Sequence, residues 1–165
     1  SPEFFKAQLD AIFTDIYPDA VKIGMVASKE LIETIADALI TYKAKNIVLD
    51  PVMVSTSGSR LIKEDAAEVL KERLMVLADV ITPNIPETEV LTGMTVDSAD
   101  SMEKAAIKIY EHLKTKGGNA AVLVKGGHAV HTANDCLCVD GSIVWLNGER
   151  IDNPNTQLIL HRDYQ

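Results

Sequence analysis

The chain has 165 residues, 47% of them apolar and 24% charged, and carries a net charge of −8. That length allows one domain with a real core. The negative balance argues against a nucleic-acid partner, and no apolar run approaches the roughly 18–20 residues of a membrane-spanning helix.

In chain order, Ser1 as N-cap and Pro2 at the first helical position open a short helix that runs to Phe13. The opening "SPEFF" has no initiator Met and reads as the start of a piece of something longer. "AVKIGMV" (20–26) is a buried strand, and "SKELIETIADALITYKAK" (28–45) carries Leu31, Ile32, Ile35, Leu39 and Ile40 at helical spacing. "NIVLD" (46–50) is a second strand stopped by Pro51, and "KEDAAEVLKERLMVLA" is helical. "ADVITPN" is a third strand, stopped by Pro83. A short helix begins near Pro86, a longer one spans Asp100–Gly117, and "AAVLVKGG" (120–127) is a fourth strand. "DCLCVDGSIVWLNGER" holds two extended runs joined by Asp140–Gly141, a hairpin signal. Strands alternating with helices imply crossover units and a parallel sheet covered on both faces, with an antiparallel edge. Cys136 and Cys138 sit two apart on one strand face, where a disulfide is geometrically poor and two sulfurs make a weak metal site. Buried thiols with no secretory signal before them point to the cytoplasm.

In an open parallel sheet, ligands bind beyond the carboxyl ends of the strands. The residues there are Gly24 and Met25, then Asp50 to Met53, then Thr82–Pro83–Asn84 with Glu87, then Lys125 to His128. Carboxylates and an amide suit Mg²⁺, and a lysine with loop amides suits phosphate, so the set fits a magnesium nucleotide. Each member also has a plainer meaning. Asp50–Pro51 is a turn former, "NIPE" with its acidic residues is a helix start, and "KGG" is an exit loop. His128 and His131 read more simply as exposed loop residues than as ligands. "STSGSR" (55–60) is either a flap over phosphates or a solvated connection. Their arrival from successive strands at one edge is what favours a site.

"VKIGM", "NIVLDPVMVSTSGSRLI", "DVITPNIPETEVLTG" and "AVLVKGGH", in this order and spacing, resemble the hydroxymethylpyrimidine/phosphomethylpyrimidine kinases of thiamine biosynthesis, within the ribokinase-like superfamily. The resemblance covers Ser1 to about Thr156. Pyridoxal kinases share a looser version of the same elements and are the nearest alternative. A non-catalytic nucleotide-binding or structural remnant is a third reading. The resemblance implies an α/β fold, a three-layer α/β/α sandwich with a mostly parallel sheet and an antiparallel hairpin at one edge. It implies ATP and Mg²⁺ as cofactors, a small pyrimidine substrate and a homodimer. It places Asp50, Asn84, Glu87 and Lys125 at ATP and phosphate, with Asp50 and Glu87 near the metal. Met25 and Val52 match positions beside the pyrimidine.

Two departures follow. The family opens with a strand and a glycine-rich segment that shapes the substrate pocket, and nothing here precedes Ser1. After "NPNT" the family carries His-Gly-Thr-Gly-Cys, an anion hole with its catalytic residue, where this chain has Gln157-Leu158-Ile159-Leu160-His161. The expectation is one kinase domain over residues 1–165 without its substrate-binding start and without catalytic residues of its own.

Overall fold

The computed structural model describes residues 1–54, 60–126 and 134–148. The loop expected at residues 55–59, Gly127 with His128 and His131, and the ending from residue 149 lie outside the described residues.

Helix α1 spans Pro2–Asp15, with the Ser1 hydroxyl accepting from the Phe4 amide at 3.4 Å. Strand β1 (Val21–Ile23) leads into α2 (Lys29–Tyr42), whose Ile32, Ile35, Ala36 and Leu39 are buried along one stripe. After β2 (Ile47–Leu49) comes α3 (Glu64–Val69), which runs without a break into a π turn over Leu70–Leu74 and a 3-10 turn over Met75–Leu77. The expected single helix is therefore continuous but irregular; its change of winding keeps Leu70, Leu74 and Met75 all buried. Strand β3 (Val80–Ile81), helices α4 (Ile85–Thr92) and α5 (Ala99–Thr115), and strand β4 (Ala121–Val124) follow. The hairpin of β5 (Asp135–Val139) and β6 (Ser142–Leu146) closes the described chain. It turns through Asp140 at φ 49° and Gly141 at φ 77°, the left-handed pair that a two-residue hairpin requires.

The six strands lie in sequence order. β1 to β4 pair in parallel, while β4 with β5 and β5 with β6 are antiparallel. The expected mixed α/β sheet with an antiparallel edge is what forms. Burial separates the two faces of the sheet. Ile23, Ile47, Leu49, Ile81, Val122, Val124, Cys136 and Cys138 form the covered face. The opposite face is apolar too, but Val48, Val80, Leu123 and Leu137 are half-buried, and Val139, Val144 and Leu146 are exposed. Cover on both faces, expected from the alternating pattern, is thus complete on one face among the described residues.

Leu49 sits at the middle of this core with no exposure. Leu49→Ala should cost about 2–5 kcal/mol through lost burial and an uncollapsed cavity. A urea midpoint within error of the parent chain would contradict this packing.

Candidate functional site

The strand ends converge because each parallel strand hands its last backbone groups to its neighbour. The Asp50 amide donates to Ile23 O at 2.8 Å, the Thr82 amide to Leu49 O at 2.9 Å, and the Lys125 amide to Pro83 O at 2.8 Å. Asn84 and Lys125 also form a parallel bridge beyond the ends of β3 and β4. Pro51 and Pro83 each stand two residues after a strand, β2 and β3, and the side chains beyond the strand ends gather at one edge.

At that edge the Lys125 ammonium lies 2.9 Å from Asp50 Oδ1, across 75 positions of sequence. Both side chains keep some solvent contact, 38% exposed for Lys125 and 24% for Asp50. The two groups taken from sequence as acid and phosphate-side cation are direct neighbours.

Glu87 has a different setting. Asn84 is the N-cap of α4, its Oδ1 accepting from the Glu87 amide at 2.9 Å while Glu87 Oε2 accepts from the Asn84 amide at 2.9 Å. This reciprocal capping box satisfies two of the helix's free donors. Thr88 adds a hydroxyl bond to Asn84 O at 2.8 Å. Glu87 is only 1% exposed. Burial pushes it above the ordinary carboxyl range; the Asn84 and Met53 amides and the Lys125 charge oppose that shift, and the Asp50 charge adds to it. Both meanings of "NIPE" therefore hold at once: it is a helix start, and it stands at the strand edge.

Met25 follows β1 at the same end of the sheet and is 53% exposed. Val52 is half-buried in the turn after Asp50, its amide bonded to Asp50 O at 2.8 Å. Asp135 had no place in the sequence reading, yet its Oδ1 accepts from the Gly126 amide at 2.7 Å. The signal was present in the hairpin register, which carries the first residue of β5 to the end of β4.

Mg²⁺ needs one or two carboxylates, with water and phosphate oxygens filling its octahedron. Asp50 meets that demand as a partly solvated carboxylate beside a lysine. Glu87, whose Oε2 accepts from the Asn84 amide, fits as a group acting through water. Among the described residues no cluster of three or more His, Cys, Asp or Glu could hold a metal ion by itself. The residues thus fit a metal that arrives with phosphate.

The sequential parallel sheet, the antiparallel hairpin and this polar edge define a ribokinase-like α/β protein. Residues 1–157 match the phosphomethylpyrimidine kinase family, and the chain belongs to it. Among its relatives, the thiamine biosynthesis bifunctional protein ThiED of Geobacter sulfurreducens is 44% identical over 141 residues, covering 86% of this chain and 28% of that protein. The hydroxymethylpyrimidine/phosphomethylpyrimidine kinase of Haemophilus influenzae is 37% identical over 156 residues, covering 92% of this chain and 56% of the relative. Among solved structures, phosphomethylpyrimidine kinase from Clostridium difficile superposes with a TM-score of 0.78 at 41% identity, over 90% of this chain and 62% of that one. An ADP complex of Bacillus subtilis pyridoxal kinase gives 0.81 at 34%, over 93% and 55%. The chain spans about half the length of the curated single-function kinases it matches.

Proposed function

We propose that this chain is the nucleotide-side body of a kinase that transfers the terminal phosphoryl group of Mg·ATP to the hydroxymethyl group of 4-amino-5-hydroxymethyl-2-methylpyrimidine, and then to its monophosphate. The observation that carries the reading is the Asp50–Lys125 pair at the strand edge, next to the Asn84–Glu87 cap. Asp50 would hold Mg²⁺ and Glu87 would face it through water, while Lys125 and Asn84 meet phosphate; Met25 and Val52 lie on the pyrimidine side. Asp50 and Glu87 would thus hold Mg²⁺, whose charge would offset the negative charge that develops on phosphate. Lys125, paired with Asp50 at 2.9 Å, would be the group that meets phosphate. The reaction is placed in the cytoplasm, where the buried free thiols Cys136 and Cys138 remain reduced. Association as a homodimer is supported by the exposed Phe4 and Ile12 on α1 and Ile16 at its C-cap. Chromatography with light scattering that returned a single 18.0 kDa species would remove it.

Calorimetric titration of the 165-residue chain with Mg·ATP tests the site. A charged hydrogen bond is worth about 1.5–3 kcal/mol, so Lys125→Ala should weaken binding about 10- to 100-fold. Equal affinity in the variant would remove Lys125 from the site, and no binding by the parent chain would sink the nucleotide reading. The pyridoxal kinase likeness keeps a second acceptor in view. Full-length protein offered both alcohols at equal concentration distinguishes them, and preference for pyridoxal would overturn the pyrimidine assignment.

A further inference from the structure

Lys125 is held by its backbone on both sides. Its own amide donates to Pro83 O at 2.8 Å, and the next amide, Gly126, donates to Asp135 Oδ1 at 2.7 Å. The first bond belongs to the parallel pairing of β3 with β4. The second comes from a side chain on the antiparallel neighbour β5, so nothing in the sheet ladder requires it.

The register shows why Asp135 is in reach. Val124 pairs with Cys136 and Leu123 with Leu137, so one further step sets Asp135 across from Lys125. By alternation both lie on the less covered sheet face, with Leu123 and Leu137. Opposite charges directly across an antiparallel pair attract, yet the ammonium reaches Asp50 at 2.9 Å and Asp135 spends its oxygen on backbone. The approach is close enough to exclude a side chain at residue 126. A Cβ there would run into the backbone oxygen of Asn134. Asn134 Oδ1 in turn accepts from the Gly148 amide at 3.2 Å, tying this corner to the exit of β6.

We propose that Asp135 is a positioning residue for Lys125. By fixing the Gly126 amide, it sets the backbone from which the ammonium reaches Asp50 and, on the nucleotide reading given above, phosphate. A carboxylate is suited to the task because its bond to an N–H is shorter and stronger than a neutral one. Asparagine could still accept from Gly126 through its carbonyl oxygen, whereas alanine could not.

Mg·ATP affinity of the full chain is measured by calorimetry for the parent, Asp135→Ala, Asp135→Asn, Lys125→Ala and the Lys125→Ala/Asp135→Ala double variant, with Gly126 amide exchange followed by NMR. Asp135→Ala should bind about tenfold more weakly, the scale of one lost charged hydrogen bond. Asp135→Asn should stay within about threefold of the parent, because it keeps the acceptor. If Asp135 acts through Lys125, its loss costs nothing further once Lys125 is alanine. A merely structural aspartate would leave affinity unchanged at temperatures where each variant is folded, or its penalty would add to that of Lys125→Ala; either result overturns the proposal. If the parent itself fails to bind Mg·ATP, the nucleotide reading falls and exchange alone decides. Faster exchange at Gly126 in Asp135→Ala, with Asp135→Asn like the parent, keeps the backbone clamp, and equal rates in all three end it.

Discussion

The 165-residue polypeptide is expected to phosphorylate hydroxymethylpyrimidine about 10⁴-fold more slowly than a full-length relative. The reason lies in "NPNTQLILH". The resemblance implies His-Gly-Thr-Gly-Cys after "NPNT", and Gln157 to His161 hold no glycine and no thiol or acid. Losing one anion-hole donor costs roughly 10²–10³ in rate, and losing a general base roughly 10²–10⁴. The two losses do not simply add when the groups act as a unit, so the larger one sets the scale. Asp163 is no substitute, because nothing before it supplies a glycine turn to aim it. On the proposed nucleotide reading, binding and turnover should therefore separate: Mg·ATP would engage the Asp50–Lys125 edge while product formation stays near background. A coupled assay showing turnover within about tenfold of the full-length relative would sink this claim, since a gap of 1.4 kcal/mol is too small for a missing anion hole.

The candidate site was legible where its determinants are local. Pro51 and Pro83 mark the ends of two short apolar runs and "KGG" marks the end of a third, which is why Asp50, Asn84 and Lys125 could be assigned to one edge before any contact was known. Glu87 was legible in position but not in role, because the same four letters encode a capping box and a carboxylate at the strand ends. Asp135 was missed for a different reason. Its partner is nine positions earlier, and only the register of β4 against β5 brings the two together. The same limit applies to sheet cover. Alternating helices and strands predict layers on both faces, and among the described residues Val80, Leu123 and Leu137 on one face are half-buried while Leu49, Ile81 and Val122 on the other are fully buried, a difference that composition does not encode. The winding change at Leu70–Leu74 is likewise tertiary, since local spacing there fits an ordinary helix.

Glu87→Ala is expected to be the most destabilising substitution at the edge, by about 2–5 kcal/mol. It removes a capping interaction worth about 0.5–2 kcal/mol. It also strips the acceptor from the Asn84 amide, which donates to Glu87 Oε2 at 2.9 Å. A buried donor left without a partner costs about 1–3 kcal/mol. At this chain length that is roughly 5–20 °C in Tm, at 2–4 °C per kcal/mol. Glu87→Gln separates the bonds from the charge, because it keeps one acceptor oxygen without ionising. Burial raises the Glu87 carboxyl from 4.5, so the folded state holds its proton more tightly than the unfolded state does. The parent therefore loses this contribution to stability as pH rises from about 4.5 through the raised value, whereas Glu87→Gln has no such loss. The Tm difference, Glu87→Gln minus parent, should become more positive across that window and level off above it. Scanning calorimetry of both proteins from acid to neutral pH reads the difference directly. A constant gap would mean that Glu87 feels no net burial penalty, and a gap moving the other way would mean that the Asn84 and Met53 amides and Lys125 outweigh it.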